Sequence, residues 1–255
     1  MMLYPSKKIG EHLSNLGIKP DDTIMVHGDA GISAQYIYEN DKDPIEGFFR
    51  ELIGYISNGT ILVPSFTYSA TKGEIFDVSN TPSEVGLFSE KFRVLDGVQR
   101  SQHPIFSVCA LGKYSDYFTS AVVDECFGEG TFFDRIYNQN VKIVTLGCAL
   151  ERITFVHFVE QRLDIPYRYL KKFPAQVADS GITKKFYVSY FVRDLEIDAQ
   201  LNLASFEYEA LRENKIIVKP FGRFKAKIIS SKDFCEVASQ MLMEDQYALV
   251  RGTGS

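Results

Sequence analysis

Residues 141–163, VKIVTLGCALERITFVHFVEQRL, read as a buried strand that passes through a glycine turn into an amphipathic helix. VKIVTLG (141–147) is apolar and β-branched, the composition of a strand covered on both faces, and residues 154–163 switch to the 3.6-residue period of a helix. The same unit recurs in both directions. Toward the N-terminus, a short amphipathic helix over 6–16 leads through Gly17 and Pro20 to the strand TIMVH (23–27), and a helix over 44–56, stopped by Asn58 and Gly59, feeds the strand TILVP (60–64). FSVCALG (106–112) is strand-like, and a helix over 132–137 precedes the opening strand. Toward the C-terminus come strand-like KKFYVSYFV (184–192), a helix over 206–213, strand-like KIIVKPF (215–221) and AKIIS (226–230), and a last helix over 232–243. Strands alternating with helices predict an α/β fold: a sandwich with a central, largely buried mixed sheet flanked by helices.

The chain has 255 residues, 45% of them apolar, enough for a sizeable core. There are no repeats, low-complexity tracts or Pro/Gly-rich linkers, so residues 1–250 are expected to form one domain, with 251–255 (RGTGS) a frayed tail or cloning remnant. A net charge of −5 lacks the concentrated basic face of a nucleic-acid binder. No segment has the roughly 18 apolar residues of a membrane span, and the N-terminus MMLYPSKKIGEHL has no signal-peptide core, which makes the cytoplasm the expected compartment. Cys109, Cys126, Cys148 and Cys235 are far apart in sequence, which suggests neither a zinc site nor a disulfide framework, and they are expected to be reduced and mostly buried. Oligomeric state is open, a homo-oligomer included.

Thr154, His157 and Glu160 recur every three residues, so on a helix they climb one face. A neutral imidazole there can take a proton from an attacking nitrogen, a carboxylate one turn away can fix its tautomer, and a hydroxyl can donate to a developing oxyanion. Spacing alone more often describes a partly buried helix with an ordinary i, i+3 pair. His12, His27 and His103 lie in unrelated segments, so no metal ligand set is expected. VHGDAGIS (26–33) follows a buried strand, and its backbone N–H groups are placed to face an anion, although such turns are frequently only turns. RSQHPIFS (100–107) gathers Arg100, Ser101 and His103 before a strand, as a ligand loop or as a rigid entry to it.

Several rival chemistries are absent. GEGTFF (128–133) has Phe133 where a dinucleotide fingerprint needs its third glycine, and no strand directly precedes it. The chain holds no G-x-x-x-x-G-K-[ST] and no G-x-S-x-G. Hexapeptide repeats and the Gln/Arg-x-x-Gly-x-Gly/Ala loop of the commonest acetyltransferase fold are missing as well.

In order, VHGDAG (26–31), GTILVPSFTY (59–68), FDVSNTPSEVGLFSEKFR (76–93), RSQHPIFSVCALG (100–112), FGEGTFFDRIY (127–137) and VTLGCALERITFVHFVEQRLDIPYRY (144–169) resemble the aminoglycoside 3-N-acetyltransferase family over nearly the whole chain. The resemblance implies an acetyl-CoA-dependent acyltransferase without a metal, whose partners are coenzyme A and a small aminated sugar. It implies His157 as the base, Glu160 as its acid partner and Thr154 as the hydroxyl near the thioester carbonyl. It places His27, Gly28, Asp29 and Ala30 along the pantetheine and pyrophosphate of the donor, and Arg100, Ser101, His103 and Ser107 around the donor or its junction with the acceptor. Ser65, Thr67 and Tyr68 of PSFTY, with the carboxylates Asp77 and Glu84, are read as the acceptor side.

Two departures stand against these matches. Gly28 and Asp29 occupy the place of two serines, and Gly128, Thr131 and Phe132 replace a G-x-x-S-P pattern. They suggest an acceptor other than an antibiotic, so the reading from sequence is an amino-sugar N-acetyltransferase of carbohydrate or sugar-nucleotide biosynthesis. The alternatives are an aminoglycoside-modifying resistance enzyme and a non-catalytic coenzyme A-binding module. Arg and Lys converging on the acceptor pocket would favour a nucleotide-sugar, and carboxylates an aminoglycoside.

Overall fold

The computed structural model describes residues 3–39 and 42–251. Its first half runs β1 (Tyr4–Pro5), α1 (Lys8–Asn15), β2 (Thr23–Gly28), a 3₁₀ turn (Ala30–Gln35), β3 (Tyr36–Ile37), α2 (Pro44–Tyr55), β4 (Thr60–Pro64), α3 (Ser69–Lys72), β5 (Ile75–Asp77), α4 (Leu87–Arg93), β6 (Gln99–Arg100) and β7 (Val108–Gly112). The second half continues α5 (Ser115–Thr119), α6 (Phe132–Asn138), β8 (Lys142–Leu146), a 3₁₀ turn (Leu150–Arg152), α7 (Val156–Arg162), β9 (Arg168–Asp179), β10 (Ile182–Arg193), α8 (Ala204–Arg212), β11 (Ile216–Phe221), β12 (Phe224–Ser230) and α9 (Ser231–Glu244).

Among the described residues, seven strands form a mixed sheet in the order β11-β12-β8-β2-β4-β7-β6. Its centre, β8-β2-β4, is parallel, and its flanks are antiparallel. The centre is the part the sequence marks as apolar: every residue of β4 is buried, as are the four inner residues of β2. Strands buried on both faces must be covered on both faces. One cover contains α1, α2 and α4, whose Leu13, Phe48, Phe49, Leu52, Phe88 and Phe92 meet Ile24, Val26, Ile61 and Val63. The other contains α6, α7, α8 and α9, where Ile136, Phe158, Phe206 and Phe234 meet Met25, Leu62, Ile143 and Ile229. Side chains alternate between the two covers along each strand, as a period of two requires.

Three differences from the sequence reading stand out. The expected helix over 154–163 begins at Val156, so Thr154 lies in the turn before it. Short-range bonds, Ile153 N–H to Leu150 O and Val156 N–H to Ile153 O, wind the approach more tightly than an α-helix does. A second sheet, β10-β9-β5, contains a twelve-residue strand, RYLKKFPAQVAD, that the apolar pattern does not reveal, because only Arg168, Ala175 and Val177 are buried along it. The expected tail falls at the edge of the described residues. Arg251 is exposed, with its N–H on Gln200 O at 2.8 Å, and 252–255 lie outside them. The cysteines are unpaired thiols, buried except for the half-buried Cys148, and no helix among the described residues is long and apolar enough to cross a membrane.

The joint between β4 and β7 depends on a residue without a side chain. Gly112 closes β7 opposite Thr60 with φ of +124°, and a Cβ there would stand 2.3 Å from Gly59 O. Gly112→Ala is expected to lower the unfolding free energy by about 3 kcal/mol through strain and a backbone clash, measured as a reduced denaturant midpoint at unchanged slope.

Candidate active site

Parallel pairing of β2 with β8 sets His27 opposite Thr145 at the carboxyl edge of the sheet. Just beyond that edge, Asp29 N–H donates to Leu146 O at 3.0 Å and Cys148 Sγ to His27 O at 3.4 Å. The turn 28–30 and the segment leading to α7 therefore leave neighbouring strands together, at the edge where open α/β sheets keep their clefts.

On α7 the i, i+3 spacing closes into a contact. His157 Nδ1 lies 2.6 Å from Glu160 Oε2, and Tyr167 Oη donates to Glu160 Oε1 at 2.8 Å. Glu160 is fully buried, and the Arg168 Nε atom approaches the same Oε2 at 2.7 Å. Burial works against the charge of Glu160, but His157, Arg168 and Tyr167 together hold its carboxyl below the usual range. Burial first and Arg168 second push His157 down, and Glu160 only partly offsets them. The pair thus rests as a neutral imidazole beside a carboxylate. That fixes the tautomer: Nδ1–H donates to Glu160, and the lone pair on Nε2 has no hydrogen-bond partner among the described residues. Phe127 stands edge-on to the His157 ring at 5.9 Å, and Tyr190 packs on Phe127 at 6.0 Å. Thr154 accepts the His157 N–H through its backbone O at 3.0 Å and is half-buried.

The residues expected along the donor divide between two places. His27 is buried and neutral, its imidazole pushed down to about 4 by burial. Its Nε2 and the Oγ1 of neighbouring Thr145 have no hydrogen-bond partner among the described residues. Gly28 leaves room for Phe88, whose ring lies 2.7 Å from where a Cβ would stand, so a serine here would require that ring to shift. Asp29 turns its carboxylate back to cap the following turn, accepting Gly31 N–H at 2.7 Å, while Ile32 N–H goes to Asp29 O and Ala30 begins the 3₁₀ turn. An anion at this turn has to displace that carboxylate.

The 100–107 stretch works as a brace. Arg100 donates from Nε to the Ser65 and Ser107 hydroxyls at 3.2 Å each, from Nη1 to Val78 O at 3.1 Å and Thr81 O at 2.6 Å, and from Nη2 to Ser65 O at 2.7 Å. Its guanidinium lies over Phe76 at 4.8 Å, and burial pushes it down to about 10, still charged at neutral pH. Ser101 Oγ accepts Val108 N–H, and Ser107 Oγ donates to Ser65 O at 2.6 Å. His103 accepts Ile105 and Phe106 N–H at Nδ1 and donates from Nε2 to Glu125 O at 3.2 Å. Burial leaves it neutral, its value pushed down to about 4.

The expected acceptor residues lie beside this brace. Ser65 and Thr67 are fully buried, and Thr67 Oγ1 accepts the Ser69 hydroxyl at 3.0 Å. Tyr68 adopts φ of +54° and joins Phe66 and Phe106 edge-on. Asp77 caps its own turn through Ser79 and Asn80 N–H, and Glu84 pairs with Lys72 at 2.5 Å.

Around His157 the structure gathers side chains that the sequence reading left unassigned. Tyr167 and Arg168 follow the T-x-x-H-x-x-E motif within IPYRY, and their place directly after it is the signal that could have found them. A groove of about 440 Å³ beside Phe127 is lined by Gly128, Glu129, Asp134, Asn138 and Gln161 among others, and Glu125 accepts Gln161 Nε2–H at 2.9 Å. Arg162, also on its wall, lies over the rings of Tyr137 and Phe158.

The family described as aminoglycoside 3-N-acetyltransferase matches residues 34–243. An aminoglycoside N(3)-acetyltransferase III of a Salmonella species is 25% identical over 183 residues, covering 64% of this chain and 63% of that protein. The match thus spans just under two thirds of that relative's length. The fold is similar to the apoenzyme of aminoglycoside acetyltransferase AAC(3)-IVa, with a TM-score of 0.81 at 21% identity over 99% of this chain and 94% of the other. It is also similar to AAC-IIIb in a binary complex with CoASH, with a TM-score of 0.80 at 20% identity over 99% of both chains. At such identities the structural likeness is one of fold.

Arg100 separates a brace from a ligand contact. Arg100→Met leaves the carbonyls of Val78 and Thr81 without their donor and is expected to cost about 2–4 kcal/mol of unfolding free energy by denaturant titration. A variant as stable as the parent would free the guanidinium for a ligand.

Proposed function

The chain belongs to the aminoglycoside 3-N-acetyltransferase family, and from that premise we propose that residues 1–250 work as one domain that transfers an acetyl group from acetyl-CoA to an amine of an aminoglycoside. The observation that carries this reading is the contact of a neutral His157 with a buried, ionised Glu160, 2.6 Å apart, beside an acidic groove. The reading of sugar biosynthesis gives way to its alternative for two reasons. The named relative acts on aminoglycosides, and the groove beside Phe127 is lined by the carboxylates Glu129 and Asp134, with Glu125 at the neighbouring Gln161. Carboxylates attract a polycationic acceptor and repel a diphosphate.

Acetyl-CoA supplies the thioester. His27 and Thr145 fit it in one respect, since both hold hydrogen-bonding atoms without a partner among the described residues at the edge from which α7 is approached. Asp29 does not fit a pyrophosphate unless its cap opens. The acceptor amine attacks the thioester carbonyl directly, His157 Nε2 takes the proton the nitrogen loses, and the C–S bond breaks as coenzyme A leaves as thiol or thiolate. Glu160, fixed by Tyr167 and Arg168, holds the imidazole in the tautomer that presents the Nε2 lone pair and stabilises the imidazolium as it forms. Thr154 supplies a hydroxyl at the mouth of α7 for the developing oxyanion. The thiols have no part in this. Burial pushes Cys148 up to about 11, far from a reactive thiolate.

A thiol-release assay with acetyl-CoA, run against aminoglycosides and against amino-sugar nucleotides, tests the acceptor: turnover with the first and not the second is expected, and the reverse restores the biosynthetic reading. His157→Ala is expected to lower kcat about 10²- to 10⁴-fold. Because the base works only when unprotonated and its folded value lies below the ordinary 6.5, kcat/KM should fall on the acid side, through a midpoint below 6.5. An acid limb above 6.5 counts against His157. Thr154→Val should cost about 10- to 10³-fold in kcat if the hydroxyl serves the oxyanion, and little if it does not.

A further inference from the structure

We propose that Arg168 is a positioning residue whose buried guanidinium neutralises Glu160, so that His157 meets the acceptor as an uncharged base and not as the cationic half of an ion pair. This rests on His157 being the base.

The geometry is a three-way contact on one oxygen. Glu160 Oε2 has His157 Nδ1 at 2.6 Å and Arg168 Nε at 2.7 Å, with side-chain exposures of 14% for His157, 5% for Arg168 and none for Glu160. The Arg168 Nε–H is not aimed well enough at that oxygen to count as a hydrogen bond. The contact acts through charge, which needs proximity and not alignment. Arg168 reaches no other carboxylate at ion-pair distance among the described residues, and its Nη1 donates to Phe191 O at 3.3 Å.

The charge balance follows. Buried Glu160 and Arg168 sum to zero, so a proton on His157 would place a net positive charge in a site with little water, which burial disfavours. With Glu160 alone the sum would be −1, and protonation would bring it to zero. A dyad without the arginine therefore drifts toward imidazolium, which cannot accept a proton from an amine.

The other groups that face the pair do not supply this charge. Tyr167, just before β9, donates to Glu160 and packs on Tyr247 at 5.4 Å, and Tyr190 of β10 lies beyond Phe127. Burial pushes both Tyr167 and Tyr190 upward, so both are neutral. From the 124–127 segment, Phe127 carries no charge and Glu125 is bound to Gln161. Arg168 is thus the cation in contact with the dyad.

The test is an NMR titration of the imidazoles in the full chain, which has four histidines, with His157 assigned from the signal lost in His157→Gln. Arg168→Met should move the His157 midpoint up, Arg168→Lys should leave it near that of the parent, and Glu160→Gln, with Arg168 unopposed, should move it down. The acid limb of kcat/KM in each variant should move with the ring. A His157 midpoint unchanged or lowered in Arg168→Met overturns the proposal even if activity is lost, because a purely structural arginine would lower activity without that shift. Should Arg168→Met not fold, the other two variants decide. A raised midpoint in Arg168→Lys, or an unmoved one in Glu160→Gln, overturns the proposal, and the opposite pair of results supports it. If His157 is not the base, the ring midpoints still move as stated while kcat/KM fails to follow them, which separates that failure from this one.

Discussion

The rest of the structure depends on the burial of three parallel strands, β2, β4 and β8, on both faces. Strands with no face toward water need a helical layer on each side, and parallel strands need long connections to return the chain. Those two demands place every connection that leaves the carboxyl ends of β2 and β8 at one edge. There the chain carries its polar residues: His27, Asp29, Cys148 and the approach to α7. A site at that edge is a consequence of the apolar centre.

Polar groups near this edge fall into two kinds that look alike in sequence. Arg100, Ser101, His103, Ser107 and Ser65 are conspicuous in a linear reading, yet their donors and acceptors close on backbone groups and on one another. They hold β4, β7 and the 77–81 turn in place, as buried polar groups must be held. His157 and Glu160 differ in that one atom of the pair, His157 Nε2, has no partner among the described residues while everything behind it is fixed. A base is useful when its far side is rigid and its near side is free. The buried layer formed by Tyr167 and Arg168 gives it that rigidity.

Electrostatics at the dyad are set by depth. On an exposed helix, an i, i+3 His–Glu pair is worth a few tenths of a kcal/mol, and its histidine titrates near its ordinary value. Here the carboxylate is fully buried, and it is held ionised by the hydrogen bonds of His157 and Tyr167 and the charge of Arg168. The same burial pushes the histidine the other way. The groove beside Phe127 is open to solvent and is lined by Glu129 and Asp134.

The sequence by itself determined the α/β alternation, the central strands over 23–27, 60–64 and 141–147, the family, and the one-turn spacing of His157 and Glu160. These are local properties: apolar content, period and motif order are written in consecutive residues. It did not determine where the helix of the motif begins, since a 3₁₀ approach and an α-helix share nearly the same pattern, nor the long strand 168–179, whose lysines and proline conceal a strand with few buried positions. Only the tertiary structure decided that Asp77 and Glu84 are engaged by their own neighbourhoods, that Glu129 and Asp134 line the groove beside Phe127, and that Arg168 closes on Glu160. The reason is physical: what a charged side chain does depends on which partner reaches it first and how much water remains, and both are set by segments far away in the chain.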